Sequence, residues 1–188
     1  HMECARLNEL LVMVKNPVMV AGGSASNALK AASAMGLSCS FIGCTGTEDH
    51  EADSCARVFA ADLASFRIET HLEERNMTSG RCLVIHMPGG LKAIACAPGA
   101  AATIRPEQIQ ADVVSRSSLV HIDGQLLRNA ASCDRVSNLC RGFGIPLSID
   151  LANPSIARAQ AGTILELIER NDCVLFMDRH EAFAFAQA

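Results

Sequence analysis

Two hydrophobic periods alternate along the chain. Leu7, Leu10, Leu11 and Val14 recur at helical spacing, which predicts a helix over roughly 4–15, stopped by Pro17. Val18 to Ala21 is a short unalternating apolar run that reads as a strand, and it ends at Gly22-Gly23. A helix follows from Ser24 or Ser26 to about Met35, closed by Gly36 at the position of a C-cap. Ser38 to Ile42 reads as a buried strand, so Gly43 to Gly46 falls in the loop after it. Ala52, Cys55, Ala56, Phe59, Ala60 and Leu63 then form one apolar stripe of a helix.

Beyond a strand at Ile68 to Leu72 the pattern changes. Arg81–His86 and Leu91–Ala97 flank Met87-Pro88-Gly89-Gly90, which predicts a β-hairpin with a four-residue turn. Alternation then resumes, with strands at Ser118–Ile122, Pro146–Asp150 and Cys173–Phe176. Helices follow them around Val136 to Phe143, over Ala157 to Ile168 and from Arg179 onward. Apolar strands alternating with helices predict an α/β fold with a mostly parallel sheet covered on both faces. The 29 alanines and the lack of Trp and Tyr suit close helix-on-sheet packing. No internal repeat, linker or low-complexity segment divides the chain.

Composition narrows the function classes. The 188 residues are 49% hydrophobic, enough for a packed core, and their net charge is −4 with no Lys/Arg run. That balance argues against nucleic acid or an anionic membrane as the main partner. No apolar run approaches the ~20 residues of a membrane span, and no signal peptide is visible. His1-Met2 reads as the remnant of a cleaved expression tag, leaving 3–188 as one domain. The nine cysteines are odd in number and include no Cys-x-x-Cys. Most sit in apolar segments, so they are expected to be reduced, structural thiols of a cytoplasmic protein. A Cys/His metal site is not expected.

In open α/β sheets ligands bind beyond the carboxyl ends of the strands. The residues there are Gly22 to Asn27, Gly43 to Gly46, Asp123-Gly124, Asp150 to Asn153, and Asp178 with Glu181. Small residues, amides and carboxylates suit a hydroxyl-rich substrate and a magnesium nucleotide. Gly22-Gly23 allows close backbone approach to a ligand, and Asn27 can both donate to and accept from a vicinal diol. The same loop also reads as a tight turn with Ser24 or Ser26 as N-cap. Neither a Gly-x-Gly-x-x-Gly fingerprint nor a Gly-Lys-Ser/Thr P-loop is present.

These residues resemble the ribokinase-like, or PfkB, carbohydrate kinases. The family's amino-terminal signature is matched by Gly22-Gly23-Ser24-Ala25-Ser26-Asn27, Gly36 and Gly46, with Leu29 where a small residue is usual. Phe41 to Gly46 is similar to the next family segment, with Glu48 and Glu51 in place of its Asp and Gly. Thr78-Ser79-Gly80-Arg81 through Gly99-Ala100, Val120 to Gly124, and Ile149 to Asn153 follow in family order. Leu175 to Ala182 resembles the motif that helps place magnesium, with Asp178 at the usual Asn.

The resemblance implies a three-layer ribokinase-like α/β/α fold, here incomplete, with the hairpin joining the sheet or forming a lid. It implies transfer of the ATP γ-phosphate to a hydroxymethyl group of a sugar or nucleoside. Gly22, Gly23, Asn27 and Asp123 would hold the substrate, and Asp150 and Asn153 would line the phosphate path. Asp178 and Glu181 would act through water on magnesium. The family's Gly-Ala-Gly-Asp, which carries the general base, is absent from these residues. The chain is therefore expected to be the substrate-side portion of a kinase, without catalytic residues or activity of its own, and prone to self-association through an open sheet edge. A non-catalytic relative that binds a ligand or partner, and an unrelated nucleotide-binding domain, are the alternatives. The loop and the Thr78–Cys82 segment lean toward adenosine-kinase-like members.

Overall fold

The computed structural model describes residues 4–188; the expected tag remnant His1-Met2 lies outside the described residues. The chain divides into two compact units. One comprises residues up to Gly22 together with Leu29–Ile104, the other Gly23–Ala28 together with Arg105–Ala188.

The first unit begins with α1 (Cys4–Met13), whose Leu7 is fully buried. Val18 to Ala21, expected as a strand, is coil, and Val18 and Val20 are largely exposed. Apolar content alone does not make a strand; the run has no strand partner among the described residues. The helix after the Gly-Gly loop is α2 (Ser24–Ala34), and Gly36 takes a left-handed φ of 92° beyond its end. Next, β1 (Ser40–Glu48) runs well past the expected end at Ile42. Gly43 to Gly46 is therefore strand, not loop. The glycines are there for closeness: a Cβ on Gly46 would lie 2.1 Å from the Met77 carbonyl oxygen.

Asp49 and His50, both at positive φ, turn the chain from β1 into β2 (Glu51–Ala52), so Glu48 and Glu51 face each other across a tight hairpin. Helix α3 (Ser54–Ser65) then crosses to β3 (Glu69–Arg75), which pairs with β1 in parallel from Ser40↔Glu69 to Gly46↔Arg75. Ala56 and Leu63 of α3 and Ile68 after it are buried.

The expected hairpin forms from β4 (Arg81–His86) and β5 (Lys92–Ala97). It makes its own two-stranded sheet and pairs with no other described strand. One face packs Leu83 and Ala97 against Leu7 of α1. On that ladder Cys82 stands opposite Cys96 with Cα atoms 4.2 Å apart, and the two form a disulfide. This corrects the expectation of wholly reduced cysteines. An odd count leaves room for one pair, and the hairpin register, not a sequence spacing, brings these two together. Cys39, Cys44, Cys55, Cys133, Cys140 and Cys173 are free thiols.

The second unit places α4 (Ala111–Ser115) before β6 (Val120–Asp123), then α5 (Ala130–Phe143), β7 (Leu147–Asp150), α6 (Pro154–Ala159), α7 (Ala161–Arg170), β8 (Cys173–Phe176) and α8 (Arg179–Ala186). The strands pair in parallel in the order β6-β7-β8. The single helix expected over 157–168 is two, α6 and α7, breaking at Gln160. Asn129 caps α5 at its start, and Gly144 at φ 67° ends it. The core gathers Leu127, Leu147, Ile149, Leu151, Ile156 and Ile164, each at most 1% exposed. Each such side chain contributes about 1.5–3 kcal/mol relative to exposure. Among the described residues no helix is long and apolar enough to cross a membrane.

Candidate functional site

In the sheet of the second unit β6 and β7 end level, so Asp123 pairs with Asp150 and two acidic residues are neighbours at the carboxyl end. Gly124 lets the chain turn there: a Cβ on it would lie 2.6 Å from the Asp150 carbonyl oxygen. Asp123 accepts from the Gln125 N–H at 2.8 Å, which holds the carboxylate over the strand end. It also accepts from the Ser24 hydroxyl, at the first position of α2.

Residues Gly23 to Ala28 belong to this same unit. Gly23 has a φ of 115°, and the buried Ser26 hydroxyl donates to the Gly23 carbonyl oxygen at 3.0 Å. That bond fixes the turn and leaves Asn27 exposed. Gly22 is exposed too, with nothing within 4 Å of where a Cβ would stand. Sequence reasoning left Ser24 or Ser26 as a helix cap; the bond of Ser24 to a residue 99 positions away is the tertiary contact that the local pattern could not carry.

The other candidates are spent largely on backbone. Asp150 accepts from the Ala152 N–H at 3.1 Å, with Ala152 held at φ 62°. Asn153 accepts from the Ile156 N–H at 3.0 Å as the N-cap of α6. Asp178 and Glu181 form a reciprocal capping box on α8. The Glu181 N–H donates to Asp178 at 2.8 Å, and the Asp178 N–H donates to Glu181 at 2.7 Å. Glu181 is buried and Asp178 exposed. The box uses Asp178 Oδ1 and Glu181 Oε2, so Asp178 Oδ2 and Glu181 Oε1 stand outside it. Among the described residues no three His, Cys, Asp or Glu side chains converge as a metal cluster.

The first unit holds a buried polar knot that sequence reasoning missed. Asp53 is 1% exposed and accepts from the Ala56 and Ser79 N–H groups at 2.7 Å each and from the Ser79 hydroxyl at 2.8 Å. Ser79 Oγ in turn accepts from the Gly46 N–H at 2.8 Å, and the Arg81 guanidinium stands 3.8 Å from the carboxylate. Burial pushes the Asp53 carboxyl up. The bonds from Ser79 and Ala56 and the charge of Arg81 outweigh it and hold the carboxyl below its ordinary value. The knot joins the end of β1, the start of α3 and the root of the hairpin. Its one local signal was an Asp just before Ser54, within the apolar stripe that starts at Ala52, an ordinary N-cap.

The α/β pattern, the hairpin and the carboxylates at the strand ends define the ribokinase-like fold. The chain belongs to the pfkB family of carbohydrate kinases, whose family model matches residues 2–188. Among solved structures it is similar to the adenosine kinase of Sinorhizobium meliloti, with a TM-score of 0.87 at 18% identity over all of this chain. A probable sugar kinase from Rhizobium etli CFN 42 superposes with a TM-score of 0.89 at 19% identity, again over all of this chain. The Anopheles gambiae adenosine kinase in complex with P1,P4-di(adenosine-5) tetraphosphate gives 0.84 at 21% identity over 97% of this chain. This chain spans 57%, 57% and 58% of those three, respectively. No curated protein sequence matches it.

Proposed function

We propose that these residues form the substrate side of an ATP-dependent kinase that phosphorylates a hydroxymethyl group of a sugar or nucleoside. The observation that carries this reading is the Ser24–Asp123 contact, which holds the start of α2 beside the carboxyl end of β6. In this reading Gly22, Gly23, Asn27 and Asp123 bind the hydroxyls of the substrate through backbone groups, an amide and a carboxylate. Asp150 and Asn153 line the phosphate path. ATP would supply the phosphoryl group and magnesium would offset its charge. The oxygens of Asp178 and Glu181 outside the capping box are hard donors that fit a water-mediated magnesium contact. A nucleoside is the first substrate to test, since adenosine kinases are among the similar structures. A cytoplasmic setting accords with that chemistry.

The 188 residues contain no Gly-Ala-Gly-Asp, so in this reading they bind substrate without turning it over. A second reading, a non-catalytic ligand binder, is favoured by the capping box, which gives Asp178 and Glu181 a structural use without any metal. Thermal shift with adenosine and with ribose tests substrate binding. Ligand at 100 times its Kd stabilises by ~2.7 kcal/mol, on the order of 5 °C in Tm for a chain this size. Gly22→Ala, where a Cβ meets nothing, should keep the unliganded Tm and lose the shift. No shift with any sugar or nucleoside sinks the substrate site. ADP formation by these residues alone sinks the division of labour.

A further inference from the structure

We propose that the β4–β5 hairpin is a redox-sensitive element, in which making and breaking the Cys82–Cys96 bond with a small-molecule thiol/disulfide couple sets how firmly the hairpin is held. The bond lies at the second rung of the ladder, one pair beyond Arg81↔Ala97. Below it, the buried Asp53 and Ser79 pin the root. Above it, the pairs from Leu83↔Ala95 to His86↔Lys92 continue to the exposed turn at Met87 to Leu91. A two-stranded sheet is marginal alone, and this one pairs with no other described strand. What holds its outer rungs is one face packed on α1 and the cross-link.

Access favours the exchange. Cys82 is exposed and Cys96 half-buried, so a small disulfide reaches Cys82 first. The Cys82 thiolate attacks one sulfur of the small disulfide, forms a mixed disulfide and expels one thiolate. The Cys96 thiolate then attacks the Cys82 sulfur and expels the second. Two electrons pass from the protein dithiol to the small disulfide, and its two thiols leave with the two protons; reduction by a small thiol is the reverse. Two buried thiols, Cys133 and Cys140, compete poorly. Burial, with the charge of Asp134, pushes Cys133 up to about 12. Burial, with a contribution from Cys173, pushes Cys140 up to about 11.

The test uses the whole 188-residue chain in reduced and in oxidised glutathione. Alkylation and mass analysis locate the bond, and limited trypsin digestion at the exposed Lys92, read on reduced gels, follows the outer rungs. The expected result is joint protection of Cys82 and Cys96 in oxidised glutathione, with cleavage at Lys92 slowed by about tenfold or more, as a cross-link closing a loop of this size allows. Cys82→Ser and Cys96→Ser should each give the fast rate in both buffers. Wild-type protein in the two buffers carries the test if a variant does not fold. Alkylation of both cysteines under oxidising conditions, protection of a different pair, or a bond that forms without changing Lys92 cleavage overturns the proposal.

Discussion

Asp53 ties Ser79 and Arg81 to the start of α3 in the first unit. Replacing it with Ala leaves the Ser79 and Ala56 N–H groups without this acceptor and the Arg81 guanidinium, still bonded to Asn8, without the nearby carboxylate. Losses of that kind cost about 2–4 kcal/mol, so the urea midpoint of Asp53→Ala should fall accordingly. An unchanged midpoint would show the knot to be replaceable. Because the folded carboxyl lies below its ordinary value, its stabilisation is complete above the unfolded value of about 3.9 and is lost as pH falls through the folded one. Wild-type stability should therefore be flat in this contribution near neutrality and drop in acid, and the variant should lack that drop. The N-cap half of this residue was legible, being three residues of local sequence. Its bonds to Ser79, 26 residues on, were not, because nothing local marks which serine a buried carboxylate will meet.

Among the elements, α8 separates two uses of one carboxylate. The capping box satisfies N–H groups that the helix start leaves unpaired, whereas a magnesium role would use the oxygen outside the box. Asp178→Asn keeps a good cap and restores the residue usual in the resembling motif. Asp178→Ala removes the cap. The expected outcome is a stability change for Asn within about 0.5 kcal/mol and a loss of about 1 kcal/mol for Ala, measured by urea unfolding. If magnesium-dependent nucleotide binding is unchanged in Asp178→Asn, the negative charge has no part in it, and if it is unchanged in Asp178→Ala as well, the residue acts as a cap alone. The start of this helix was readable from Asp178 and Glu181 at the spacing of a capping box, and β8 from a four-residue apolar run. By contrast, β1 was cut short because glycines read as loop, whereas Gly46 is packed against Met77 to Ser79 and Gly43 against the Phe41 ring. Val18 to Ala21 was over-read, because apolar composition does not supply a pairing partner.

For the molecule as a whole, the order of the motifs carried the fold, and those around Asp123, Asp150 and Asp178 fall at the carboxyl ends of β6, β7 and β8. Strand pairing did not follow from it. The described strands form three separate sheets, and which edges stay open depends on neighbours that no run of sequence names. The edge of β8 is the telling one. It pairs only with β7 among the described strands, while Val174 and Phe176 are 52% and 57% exposed and Phe183 of α8 64%. This edge has no Lys, Pro or bulge, the devices that keep edges from pairing with other chains. A strand offering free backbone groups beside exposed apolar side chains should pair with a second copy of itself. Light scattering on a concentration series is expected to give a mass that rises above the monomer. Val174→Lys puts a charge on an exposed edge position at little cost to the fold, and it should return the mass to that of the monomer. A wild-type protein that stays monomeric at the highest concentration would mean that the edge is protected by geometry rather than by charge.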